Sequence, residues 1–328
     1  MEFTDKTILI TGGTGSFGKA CTDVLLRDHA PRAIRLFSRD ELKQSELQAR
    51  YADEDRLRFF IGDVRDRERL VRATRGVDLI IHAAALKQVP ACEYNPFEAV
   101  QTNIMGAENV VAAAIANDVP RVVALSTDKA VNPVNLYGAT KLCAEKIITQ
   151  ANAYAADSES SLANVRYGNV VGSRGSVVPI FIAQAESGTL TITDERMTRF
   201  WITLPQAVEF VLSSLDLMEG GEVFVPKIPS MRVIDIADAI APNAERVLTG
   251  IRPGEKLHEV MLTEDESRHT QVLEDRYVIV PEFPTWRATP YTHGPPVQEG
   301  FRYSSDNNDR WLTAEELQAM LPSLQPVA

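Results

Sequence analysis

The feature that most limits how this chain can fold is the exchange of short apolar runs with helix-length stretches through its first half. KTILIT, AIRLFS, LRFFIGD, VDLIIHAAA and RVVALS carry little polar character, as strands do when a parallel sheet is covered on both faces. The stretches between them are long enough to be the helices that do the covering. The expected fold class is therefore α/β, with a doubly wound parallel sheet. At 328 residues the chain can bury a large core as one large domain or two interlocked ones. After about Val165 the alternation loosens, and Gly, Pro and basic residues become frequent in RYGNVVGSRGSVVP and GIRPGEKLHEV.

The first strand runs directly into TGGTGSFG, where Gly12, Gly15 and Gly18 are spaced GxxGxxG ahead of a helix. Glycine lets the backbone turn tightly and approach a pyrophosphate, and the helix start offers free N–H groups and the positive end of a dipole. Thr14, Ser16 and Phe17 fill the turn. This predicts a dinucleotide-binding domain over 1–165, with the helix of FWITLPQAVEFVLSSLDL returning to it at about 196–225. Residues 166–195 and 226–328 are then a smaller, discontinuous substrate-binding lobe and C-terminal region. At the tip of the second strand Ser38 and Arg39 precede Asp40, followed by Glu41, Leu42 and Lys43. A hydroxyl and a guanidinium suit a 2′-phosphate, so NADP is expected, although Asp40 is also placed to meet a ribose. Asp63, followed by Val64 at the end of the third strand, reads equally as an acceptor for the adenine amino group or a helix N-cap. Ala83 closes the fourth strand.

Residues 126–141, STDKAVNPVNLYGATK, place Thr127, Asp128 and Lys129 at the carboxyl end of the fifth strand, where open α/β sheets build their sites. Tyr137 and Lys141 are one helical turn apart and share a face. A Lys ammonium about 4 Å from a phenol contributes roughly 4 kcal/mol at an effective dielectric near 20. That would lower a tyrosine pKa of about 10 by about three units if burial did not oppose it. The bland alternative is a surface YxxxK pair.

Composition closes off several classes. A formal charge of −11 argues against nucleic acid, so any phosphate ligand needs a local basic pocket. No apolar run approaches the 18 or so residues that span a bilayer, and MEFTDKTILITGG lacks a basic-then-apolar signal layout, so a cytoplasmic protein is expected. Cys21, Cys92 and Cys143 show neither CxxC nor Cys/His spacing, which predicts packing cysteines and no metal. The run TEDESR at 263–268 reads as solvated surface, and Phe200 and Trp201 as core.

Taken together, TGGTGSFGKA, SRDELKQSE, HAAALKQVP, STDKAVNPVNLYGATK, RYGNVVGSRGSVVP, MTRFWIT and IRPGEKLHEVM resemble the extended short-chain dehydrogenase/reductases, which have a Rossmann domain and act on nucleotide sugars. Within them these motifs resemble the inverting UDP-N-acetylglucosamine 4,6-dehydratases of pseudaminic acid synthesis. The resemblance implies a lyase that oxidises C4, eliminates water across C5 and C6, returns hydrogen to C6 from a tightly held, recycled NADP, and inverts C5. It implies Tyr137 as the C4 proton acceptor, Lys141 on the nicotinamide ribose, Thr127 beside them, Lys129 as the C5 base and Asp128 as acid to the leaving hydroxyl. Retaining relatives carry Thr-Asp-Glu where this chain has Thr-Asp-Lys. A Lys base must be partly neutral; an exposed Lys129 paired to Asp128 is the alternative. Lys87, Asn169, Val170, Arg174, Val177, Arg252 and Glu255 are implied on the sugar and nucleotide, and a homo-oligomer, dimer or hexamer, is implied as the assembly. A retaining dehydratase, a 4-epimerase and a non-catalytic NADP sensor remain as other readings.

Overall fold

The computed structural model describes residues 3–155, 158–173, 176–284, 286 and 291–321. The chain opens with β1 (Thr7–Thr11), α1 (Ser16–Asp28), β2 (Ala33–Ser38), α2 (Glu41–Arg50), β3 (Leu57–Ile61), α3 (Arg67–Ala73) and β4 (Leu79–His82). Two short helices, α4 (Val89–Tyr94) and α5 (Pro96–Ala99), pass through a π-helical turn at Val100–Met105 into α6 (Gly106–Ala116). Then come β5 (Arg121–Leu125), a 3₁₀ turn at Asp128–Ala130, α7 (Leu136–Tyr154) and β6 (Ser161–Val165). These strands lie parallel in the order β3-β2-β1-β4-β5-β6. The chain leaves β1 in one direction for β2 and β3 and returns on the other side at β4, so a crevice opens between β1 and β4 at the carboxyl edge. Alternation within each strand makes two cores. Ile8 and Ile10 pack with Cys21 and Leu25 of α1, while Leu9 packs with Leu70, Val110 and Ala113 on the opposite face.

The second half supplies β7 (Asn169–Val170), α8 (Val177–Ala185), β8 (Thr189–Ile192), β9 (Thr198–Ile202), α9 (Leu204–Leu217) and β10 (Val223–Pro226). A Thr203/Gln206 capping box starts α9, and its Val208, Val211 and Leu215 join the α1 core. Next, β10 extends the sheet parallel to β6. The expected partition needs two corrections. The returning segment was drawn from 196, but β9 pairs with β7 and with Ser230–Arg232 in a separate three-stranded sheet. Residues 270–279 are expected in the substrate-binding lobe and C-terminal region, but Thr270–Val272 and Arg276–Ile279 form an antiparallel hairpin on β10 and complete the nine-stranded sheet. A parallel sheet ending at β10 would expose a row of unpaired N–H and C=O groups, and this hairpin takes them up. Phe200 and Trp201 are buried, as expected of core residues. Cys21 and Cys92 are buried too, but Cys143 is exposed on α7 and is not a core residue. Among the described residues no helix is long and apolar enough to cross a membrane.

Candidate active site

A cavity of about 960 Å³ lies where the carboxyl ends of β1, β4 and β5 face the second lobe. The glycine turn forms its floor. Gly12 has φ +68°, and a Cβ there would meet the Ala84 backbone nitrogen at 2.9 Å, so the position excludes any other residue. Helix α1 starts at Ser16 with Gly15 as N-cap; no side chain caps it and no acid lies in its first turn. Its free amides face the wall made by Thr14, Ser16, Phe17 and Gly18. This donor set fits a dinucleotide pyrophosphate.

At the tip of β2, Thr14 Oγ1 donates to Ser38 Oγ at 3.0 Å, and Gln44 Nε2 donates to the Ser38 and Phe60 carbonyls at 3.0 and 2.8 Å. Gln44, which no motif marks, thereby braces Ser38 from behind the cavity wall. Asp40 caps α2 by accepting from the Lys43 amide at 3.1 Å, and its carboxylate holds Lys43 Nζ at 2.7 Å. Asp63 accepts from Arg65 Nε and Nη2 at 2.9 and 2.7 Å and lies 3.6 Å from Arg39. It is not an N-cap, because Asp66 fills that place on α3. Ser38, Arg39, Asp40, Lys43, Asp63, Val64 and Ala83 all line the cavity. Glu41 and Leu42 do not; the first turn of α2 rotates both to solvent.

The reactive segment is assembled by close backbone approach. A Cβ on Gly138 would collide with the Lys129 carbonyl oxygen, so glycine there lets the start of α7 sit directly on the 3₁₀ turn. Asn135 caps α7, accepting from the Gly138 amide at 2.8 Å, while its Nδ2 donates to the Gly254 carbonyl at 2.8 Å and ties this helix to the second lobe. Thr127, Lys129, Tyr137 and Lys141 line one wall. Burial pushes the Tyr137 phenol up to about 12, against the pull of the Lys129 ammonium and of Thr127. The expected Lys141–Tyr137 effect is therefore corrected: desolvation dominates, and the cation acting on Tyr137 is Lys129. Lys141 sits one turn deeper, where burial lowers it to about 8 against the support of Glu145. Beneath it His82, pushed down to about 3 by burial and by Lys141, is a neutral partner of Thr11 Oγ1 at 2.7 Å.

Lys129 is neither exposed nor neutral in this state. Its Nζ lies 3.0 Å from Asp128 Oδ1, 3.3 Å from Asn169 Oδ1 and 3.6 Å from Glu259 Oε1. Burial disfavours its charge, but Asp128 and Glu259 outweigh burial and hold it above the ordinary lysine range. Asp128 is fully buried behind the cavity wall, and burial raises its carboxyl. Glu259, Arg199 and Lys256 were not singled out from sequence. Arg199 Nε is 3.9 Å and Lys256 Nζ 3.5 Å from Glu259. The signal available was the pair of charged letters in GIRPGEKLHEV and MTRFWIT, which has no period to mark it. On the lobe side Lys87, Asn169, Val170, Val177, Arg252 and Glu255 line the cavity, with Arg252 and Glu255 3.8 Å apart at its mouth. Arg174 lies outside the described residues.

A family model described as "Polysaccharide biosynthesis protein" matches residues 8–281. The chain is 52% identical over 325 residues to a UDP-N-acetylglucosamine 4,6-dehydratase (inverting) of Campylobacter jejuni, covering 96% of this chain and 97% of that one. It is 43% identical to a UDP-glucose 4-epimerase of Rickettsia conorii, covering 84% and 83%. Among solved structures, Pen from Bacillus thuringiensis superposes with a TM-score of 0.89 at 38% identity, covering 98% of this chain and 100% of that one. DesIV, a dTDP-glucose 4,6-dehydratase from Streptomyces venezuelae with NAD and TYD bound, superposes at 0.66 with 23% identity, covering 76% and 86%, a likeness of fold. The chain belongs to the polysaccharide biosynthesis protein family and, within it, to the inverting UDP-N-acetylglucosamine 4,6-dehydratases.

Proposed function

We propose that this protein converts UDP-N-acetylglucosamine to the 4-keto-6-deoxy sugar of L-arabino configuration, a lyase reaction with no net redox change. The observation that carries the reading is that Lys129 and Tyr137 line the cavity that the glycine turn floors, with Asp128 directly behind the wall and 3.0 Å from Lys129 Nζ. A nicotinamide dinucleotide, when bound, supplies the acceptor for the C4 hydrogen with its electron pair and later returns both to C6. Tyr137, in its phenolate form, takes the C4 hydroxyl proton. The C4 ketone makes the C5 hydrogen acidic, Lys129 as a free amine removes that proton, and Asp128 as a carboxylic acid protonates the C6 hydroxyl, which departs as water. A proton returns to C5 on the opposite face. Lys141 holds the nicotinamide ribose, while Asn169, Val170, Val177, Lys87, Arg252 and Glu255 receive the sugar and nucleotide. Arg174 is assigned to the diphosphate by the resemblance alone.

The cofactor assigned is NADP. Asp40 is engaged twice by Lys43, so its carboxylate is already satisfied, and Arg39 brings positive charge to the β2 tip. Tighter binding of NAD than NADP by the purified protein sinks this assignment. Tyr94, Phe97 and Tyr154 are exposed on α4, α5 and α7, which supports a homo-oligomer built through those helices.

One incubation tests the reaction: UDP-N-acetylglucosamine with the protein and no added reductant, followed by NMR. An L-arabino 4-keto-6-deoxy product is expected. A D-xylo product identifies a retaining dehydratase, UDP-N-acetylgalactosamine an epimerase, and unchanged substrate a sensor.

A further inference from the structure

The proposed chemistry asks two opposite things of neighbouring groups. Lys129 must be an amine to take the C5 proton, and Asp128 must be an acid to release the C6 hydroxyl. In the structure they form an ion pair, with Nζ 3.0 Å from Oδ1. Moving one proton along that contact turns ammonium and carboxylate into amine and carboxylic acid together, with no proton taken from solvent. The pair is therefore competent only while it holds a single proton. With none, Asp128 cannot protonate the leaving hydroxyl; with two, Lys129 cannot act as a base.

We propose that Glu259 is the positioning residue that keeps this proton on the Lys129–Asp128 pair. Its Oε1 lies 3.6 Å from Lys129 Nζ, so the ammonium is shared by two buried carboxylates. Glu259 is 3% exposed, and its backbone is clamped: its amide donates to Ser305 Oγ at 2.9 Å, and the Ser305 amide donates to its carbonyl at 2.8 Å. Its second oxygen, Oε2, meets Lys256 Nζ at 3.5 Å, while Asp128 Oδ2 is buried without a hydrogen bond. A purely structural ion pair would normally have that Asp128 oxygen satisfied. The charged neighbours divide by sign. Asp128 and Glu259 favour the proton on Lys129; Arg199 and Lys256 from the second lobe, and Lys87 across the cavity, oppose it; Tyr137 is neutral. Asp128, raised by burial and then by Glu259, is the receiving partner. Because Glu259 belongs to the lobe and Lys129 to the sheet, the pair is set only when the two are packed together.

This inference rests on the dehydratase reading, and the parent protein separates the two: a parent that leaves UDP-N-acetylglucosamine unchanged defeats the reading itself. With an active parent, the test is the pH profile of Glu259→Gln. Removing a negative charge lets the pair release its proton more easily, so both limbs move to lower pH, by about one unit or more. Above the optimum kcat falls at least tenfold, while KM changes by less than about threefold. Unmoved limbs overturn the proposal, whatever happens to kcat. A rise in KM alone also overturns it, because Glu259 then contacts substrate. Should Glu259→Gln fail to melt cooperatively, Glu259→Asp carries the same test: its shortened carboxylate shifts the limbs in the same direction by less, and unmoved limbs count against the proposal.

Discussion

Among the described residues, two buried ion clusters invite comparison, and they are built differently. In one, Arg166 is gripped by Glu145 on α7 and by Glu266, through contacts of 2.5, 2.9 and 3.2 Å, with a further bond to the Met261 carbonyl at 2.7 Å. Glu145 also accepts from Ser126 Oγ at 2.7 Å. In the other, Lys129, Asp128, Glu259, Arg199 and Lys256 stand 3.0 to 3.9 Å apart, and two carboxylate oxygens have no hydrogen bond. Both clusters are largely buried, so burial does not explain the contrast; one cation meets two carboxylates in the first, and three cations meet two in the second. A saturated network leaves no lone pair for a ligand and rigidifies its surroundings; a loose one keeps protons exchangeable, at the expense of stability. The first cluster holds β6 and α7 in place, and the second is available for chemistry.

The largest effect is expected in the loose cluster. Lys129→Ala should abolish dehydration, lowering kcat by about 10⁴-fold, with little change in a urea unfolding curve. Retained turnover removes Lys129 from the mechanism, and a collapse in stability puts both clusters in one class. Next, Arg166→Met leaves Glu145 and Glu266 buried beside each other without a cation. It should reduce unfolding free energy by about 3–5 kcal/mol, read in urea. A loss under about 1 kcal/mol breaks the comparison from the other side.

Lys141 stands between the clusters and sharpens the point that function opposes stability. Its folded-state value of about 8 lies below the ordinary 10.5 because burial disfavours the charge. The folded state thus binds fewer protons than the unfolded one between those values, and stability rises with pH across that window. Below pH 8 the buried charge costs on the order of 3 kcal/mol. Lys141→Met should be more stable than the parent at pH 7 and catalytically impaired, with the stability gain shrinking as pH rises from 8 toward 10.5. A gain independent of pH refutes the charge as its cause.

Much of this was legible from sequence where the signal is local. Strand positions follow from runs such as TILIT because both faces of the sheet are buried. The glycine turn and the Thr127–Lys141 segment are contiguous, so spacing alone brings their side chains together. What sequence could not show is set by packing across distance. Glu259 reaches Lys129 from 130 positions away, and Arg199 from 70. Tyr137 follows the same rule: helical spacing correctly put Lys141 one turn along, but burial and Lys129 decide its pKa. The hairpin at 270–279 was hidden because strands of three and four residues among charged letters show too little period.

The smallest effect concerns TEDESR, which composition marks as solvated. Its Glu266 instead completes the saturated cluster, accepting from Arg166 at 2.9 and 3.2 Å and from the Thr263 amide at 3.0 Å. Burial works against its charge, yet Arg166 and Thr263 outweigh burial and hold its carboxyl below the usual range. A carboxylate so depressed contributes stability above its unfolded value near 4.5, and that contribution fades as pH falls through the lower folded value. Glu266→Gln should therefore cost about 1–2 kcal/mol at neutral pH, less than Arg166→Met because Glu145 still pairs the guanidinium. Once pH falls below that depressed folded value the parent's Glu266 is itself protonated, so the two unfolding curves should converge toward the acid end. If the difference persists undiminished at pH 3, the bond geometry at Thr263 holds this corner rather than the charge, and the saturated cluster reduces to Arg166 and Glu145 alone.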